Sequence, residues 1–146
     1  MRPIVRFLPL LVLLFALPAP ALAEGPHRLA LQVSDNDPDK MNAVLNVAAN
    51  VSKYYSDKGE EVEIQIVAFN AGLHMLREDT SQVKSRIASF AKGMPNFSFK
   101  ACQNTIDSMA RREGKVPPIV PNAESVPAGV VTLIELGEKG WTIVRT

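Results

Sequence analysis

Strand-like and helix-like stretches alternate along this sequence at intervals too long for hairpins, and that alternation leaves few folds open. His27–Val33, Val62–Ala68 and Phe97–Cys102 have strand character. The middle run is polar at its start, with Glu63 and Gln65, and apolar on both faces by its end, as in a strand entering a covered sheet. Between the first two runs, Met41, Val44, Leu45, Ala48, Val51 and Tyr55 recur at spacings of three and four, which predicts one face of a helix that stops at Gly59. Ser34-Asp35-Asn36-Asp37-Pro38 supplies its turn and cap. Val83, Ile87 and Phe90 mark a second helix ending near Gly93. A third starts at Asn104-Thr105-Ile106-Asp107, with Asn104 as cap and Asp107 answering it, and stops at Gly114.

The segment Lys115–Val126 contains Pro117, Pro118 and Pro121, so it reads as loop with room for a short edge strand near its end. Pro127 suits the first turn of another helix. Val130–Leu136 is rich in β-branched residues, but its position between Pro127 and the glycines Gly137 and Gly140 predicts a buried helix. Trp141–Arg145 closes the chain as a strand. Parallel neighbours need crossovers, and the crossovers here are helical. The expectation is a single small doubly wound α/β domain: a mostly parallel sheet of about five strands with helices on both faces.

Residues 1–23 stand apart from this pattern. They carry Arg2 and Arg6, no acidic residue, an apolar run from Leu10 to Leu17, and the small-residue site Ala21-Leu22-Ala23. This is the pattern of a secretory signal peptide cleaved after Ala23, with an apolar stretch too short to span a bilayer. The expected mature chain is 24–146, an exported periplasmic domain. Without Arg2 and Arg6 the 16 basic residues become 14, against 15 acidic ones. A near-neutral balance with no basic run argues against a nucleic-acid partner, and the absence of a second long apolar stretch argues against a membrane span after cleavage.

Cys102 is the single cysteine. In an oxidising compartment a lone thiol is packed away, joined to another chain, or kept for reaction. Its position bears on the choice, because ligands of such sheets bind outside the carboxyl ends of the strands. The segments there are Asp35–Asp37, Asn70–His74 and Cys102–Thr105. A helix follows Cys102 directly, and the positive end of a helix favours the anionic, nucleophilic form of a nearby sulfur. Asp35 and Asp37 read as caps. His74, just past the second strand, is placed to act as a base or hydrogen-bond partner toward Cys102 if their strands are neighbours. His27 is remote in sequence from both, so no metal site is expected. Nor is a cofactor, since Gly72 stands alone and forms no glycine-rich phosphate loop.

Three segments carry a resemblance: Phe99-Lys100-Ala101-Cys102-Gln103-Asn104-Thr105, then Val126-Pro127-Ala128-Gly129-Val130-Val131, then Leu136-Gly137-Glu138-Lys139-Gly140-Trp141. Together they resemble the DsrE/DsrF-like (YchN-type) sulfur-relay family across nearly all of 24–146, with Gln103 where several relay members have glycine. The resemblance implies a compact α/β fold, assembly as a trimer or hexamer, and a persulfide carried on Cys102. It also implies that Asn104 and Thr105 hydrogen-bond the terminal sulfur, that the loop holding Asn70, Gly72 and His74 walls the pocket, and that the partners are sulfur donors and acceptors, whether proteins or small thiols. The contrasting expectation is a non-catalytic oligomeric protein that binds a small ligand, or one that responds to oxidation by an intermolecular disulfide at Cys102.

Overall fold

A computed structural model describes residues 25–146, so the segment expected to be a signal peptide lies outside the described residues. Five strands, β1 (His27–Val33), β2 (Val62–Ala68), β3 (Phe97–Cys102), β4 (Ala123–Val126) and β5 (Thr142–Arg145), form one sheet in the order β4-β3-β2-β1-β5. Every pairing is parallel. The helices are α1 (Pro38–Asp57), α2 (Lys84–Gly93), α3 (Gln103–Glu113) and α4 (Gly129–Glu138). A 3-10 helix, Asn70–Leu76, follows β2.

The strand order dictates where the helices lie. The connections β1 to β2, β2 to β3 and β3 to β4 step the same way across the sheet, so a constant crossover hand puts α1, α2 and α3 on one face. The return from β4 to β5, on the far side of β1, reverses direction and puts α4 on the other. The two cores follow this division. Leu31, Ile66 and Phe99 stand side by side in register and pack with Met41, Leu45, Ile87 and Ile106 in the larger one. Ala30, Val67, Phe69 and Cys102 pack under Leu133 and Leu136 of α4 in the smaller. Each fully buried Leu or Ile stabilises the fold by roughly 2 kcal/mol.

Helix α1 starts where the sequence places it: Asp37 accepts hydrogen bonds at its Oδ1 from the Asp39 and Lys40 amides, at 2.9 and 3.3 Å. It ends at Asp57, and Gly59, just past the cap residue Lys58, turns the chain away with a φ of +70° that suits glycine. Three expectations need correction. Helix α3 begins at Gln103, two residues earlier than a cap at Asn104 requires, so Cys102 holds the cap position and Asn104 lies in the first turn. Gln103, not Asn104, reaches Asp107, donating from Nε2 to Oδ1 at 2.8 Å. Pro127 precedes α4 rather than opening it, because Ala128 holds the cap position. Helix α4 is also not buried all round, since Val130, Val131 and Ile134 face outward and are exposed.

Candidate functional site

The carboxyl ends of β2 and β3 open into a cavity of about 650 Å³. Three segments wall it. From the 3-10 helix and the residue before it come Phe69, Asn70, Ala71 and His74; from the start of α4 come Ala128, Gly129 and Val130; and Cys102 begins the third wall, which runs along α3 through Asn104, Thr105, Ser108, Met109 and Arg112. Thr105, Ser108, Met109 and Arg112 are spaced by three, one and three, a single stripe on the helix.

Cys102 sits at the inner end of this space. The alternation of β3 points its side chain to the α4 face, where it joins Ala30, Val67, Phe69, Leu133 and Leu136. It is 5% exposed and makes no hydrogen bond among the described residues. Cys102 has Val126 as its register partner on β4, which brings the start of α4 alongside the start of α3. The Asn104 amide donates to the Pro127 carbonyl at 3.3 Å, tying the two helix entrances together. Gly129 permits the closeness of α4: a Cβ there would lie 2.9 Å from Cδ1 of Phe69.

The remaining sequence candidates divide. Asn70, His74, Asn104 and Thr105 all line the cavity with Cys102. Asn70 adopts φ of +49°, which turns the chain from β2 into the 3-10 helix. Its amide donates to Thr105 Oγ1 at 3.0 Å, joining two walls. The ring of His74 bonds through Nδ1 to Thr80 Oγ1 at 2.8 Å and makes no hydrogen bond to Cys102, although β2 and β3 are neighbours. Gly72 is not in the lining. It packs beneath the wall, where a Cβ would lie 2.3 Å from the Val33 carbonyl oxygen, so only glycine lets the 3-10 helix press on the end of β1.

Asp35, Asp37 and His27 lie elsewhere. Asp35 pairs with Lys40 at 2.5 Å, which holds its carboxyl below the usual range, and Asp37 caps α1. His27 stacks on Tyr55 and contacts Glu60. Among the described residues no group of three His, Cys, Asp or Glu side chains gathers as a metal site. Sequence reasoning missed Ser108 and Arg112, whose spacing from Thr105 was the available signal.

Among solved structures, the chain is similar to a protein of unknown function, MTH1491, from Methanobacterium thermoautotrophicum. The TM-score is 0.70 at 21% identity, covering 82% of this chain and 99% of that one. At this identity the likeness speaks for the fold alone. No family model and no curated protein sequence matches the chain.

Proposed function

We propose that this protein is an exported sulfur carrier of the DsrE type, holding sulfane sulfur as a persulfide on Cys102. The observation that carries the reading is the position of Cys102: the last residue of β3, the cap position of α3, and part of the cavity lining. There the cysteine stands at the positive end of an 11-residue helix. The thiolate attacks a sulfane donor, keeps the terminal sulfur as a persulfide, and yields it to an acceptor thiol. Because the thiol is 5% exposed, a small donor reaches it through the cavity, whereas a second chain must insert a narrow segment to do so.

Export through a leader ending at Ala23, and assembly as a homo-trimer or hexamer, belong to the same reading. The outward side chains of α4 offer an apolar surface for the assembly. The experiment is intact-mass measurement after incubation with inorganic polysulfide. The wild type should gain whole sulfur atoms and Cys102→Ser none, with unchanged circular dichroism. Equal gain by both proteins would sink the proposal.

The size of the cavity and the packing of Cys102 among apolar neighbours favour a second reading, a binding protein in which the thiol is merely packed. A wild type that gains no sulfur and resists alkylation under native conditions would support it.

A further inference from the structure

Arg77 is 3% exposed, and a guanidinium has five N–H donors to satisfy. Four of them meet carboxylate oxygens: Nε and Nη2 donate to Asp79, and Nη1 and Nη2 donate to Glu113. The fifth, from Nη1, is directed at Met109 Sδ, 3.6 Å away. A thioether is a weak acceptor, so one donor of this buried cation faces the poorest acceptor of the five. A strongly polar oxygen would suit it better.

Met109 also stands between that donor and open space. It is 3% exposed, much like Met41 at 2% and Met75 at 0%, and all three belong to the larger core. Exposure does not separate them, but position does. Met109 lines the cavity of about 650 Å³, on the same stripe of α3 as Ser108 and Arg112, whereas Met41 and Met75 do not line it. A molecule little larger than water that enters this cavity meets the side chain of Met109.

We propose that Met109 is a site of oxidation, at which a hydroperoxide converts the thioether to the sulfoxide and Arg77 holds the new oxygen. In a core a sulfoxide ordinarily costs stability, because its polar oxygen leaves water and finds no donor. At Met109 the donor is already in place. The oxygen is added to the sulfur that Arg77 faces, so a weak N–H to sulfur contact becomes a charge-assisted bond to oxygen. The four bonds to Asp79 and Glu113 stay as they are, and the cavity wall gains a polar group. This reading is independent of whether Cys102 carries sulfur.

In the reaction, Met109 Sδ attacks the terminal oxygen of R–O–OH. The sulfur–oxygen bond forms as the oxygen–oxygen bond breaks. The proton of the transferred oxygen goes to the leaving R–O−, which departs as ROH, or as water when R is H. The sulfur loses two electrons and the hydroperoxide gains them, so no further oxidant or reductant takes part.

The test uses Cys102→Ser, so that methionine is the reacting sulfur. After dilute hydrogen peroxide under native conditions, peptide masses should show one added oxygen on Met109, and on the partly buried Met94, on the order of tenfold sooner than on Met41 or Met75. Met109→Gln, whose amide oxygen stands in for the sulfoxide, should lower the thermal midpoint by less than about 4 °C, and Met75→Gln by about 10 °C or more. In Arg77→Met, the Met109→Gln change should cost at least about 4 °C more than it does beside Arg77. Met109 reacting no sooner than Met41 and Met75 overturns the proposal, and so does a Met109→Gln penalty that is the same with and without Arg77. Should Arg77→Met fail to fold, the other pair decides, and equal penalties for Met109→Gln and Met75→Gln overturn the part given to Arg77.

Discussion

At the scale of single residues, the site depends on two glycines that differ in what surrounds them. A Cβ on Gly72 would lie 2.3 Å from the Val33 carbonyl oxygen and 2.7 Å from the Ser34 amide nitrogen, both backbone atoms of the strand end. Neither can yield without moving β1 or the 3-10 helix. Gly72→Ala should therefore destabilise the protein by about 1–3 kcal/mol, the usual range for overpacking. Thermal denaturation should show a midpoint lower by at least about 4 °C. Sulfur loading should fall as well, because Asn70 and His74 ride on the displaced segment. At Gly129 the contacts are longer, 2.9 Å to Phe69 Cδ1 and 3.0 Å to its Cβ, and the ring though not the Cβ can rotate, so Gly129→Ala should cost less stability than Gly72→Ala. Equal midpoints for the two variants would show that the crowding at Val33 is relieved by some easier movement. Cys102 belongs to this scale too. Its place at a strand end was legible because apolar alternation ends there, but its role as cap residue was not. Asn104 has the better capping side chain, and the backbone nevertheless enters the helix two residues sooner, with the Asn104 amide drawn to Pro127.

At the scale of elements, a buried arginine fixes the 3-10 helix against α3. Arg77 is 3% exposed and bonds to Asp79 from Nε and Nη2, at 2.9 and 2.8 Å, and to Glu113 from Nη1 and Nη2, at 2.6 and 2.9 Å. Its Nη1 also lies 3.6 Å from Met109 Sδ, and its backbone bridges to Ile119 in the loop before β4. The hydrogen bonds from Arg77 pull the Asp79 carboxyl down to about 2 and push that of Glu113 below its ordinary value. Depressed carboxylates contribute stability above their unfolded values, near pH 4, and lose it as the pH falls through their folded values. Urea denaturation of the wild type should thus lose stability between about pH 4 and pH 2. Arg77→Met should be less stable at pH 7, on the order of 2 kcal/mol, and should lose less than the wild type across that acid range. Parallel pH profiles for the two proteins would refute this account. None of it was legible in the sequence, where Arg77 is one more charge in a polar stretch. Its burial is created by contacts from α3 and the β4 loop, both distant along the chain. Arg112 keeps the exposed position that an amphipathic helix predicts, and only its place in the cavity lining, set where the start of α4 is brought beside α3, is non-local. What was legible were the elements themselves, because helical spacing in Met41–Tyr55 and the glycine stops at Gly59 and Gly114 are local signals.

At the scale of the whole molecule, the sheet is covered unequally. Three helices lie over one face and α4 alone over the other, so part of that second face meets solvent. The exposed part is suited to water: Arg28 and Glu63 are register partners 3.5 Å apart, and Lys100 pairs with its register partner Glu124. Helix α4 is not suited in the same way. Val130, Val131 and Ile134 are 52%, 51% and 56% exposed, with Ile143 of β5 at 38%. An apolar surface of this kind beside neutralised polar strands fits contact with another subunit better than contact with water. Val130 also lines the Cys102 cavity, so a subunit seated on α4 stands next to its mouth and limits which donors enter. The measurement is light scattering coupled to size exclusion at micromolar concentration. The wild type should have the mass of a closed oligomer, three or six chains, and Ile134→Glu should shift it toward one chain while preserving circular dichroism. A wild type with the mass of a single chain would leave the apolar side of α4 uncovered in solution and remove assembly from the reading of this protein, while leaving the chemistry at Cys102 to stand on its own test.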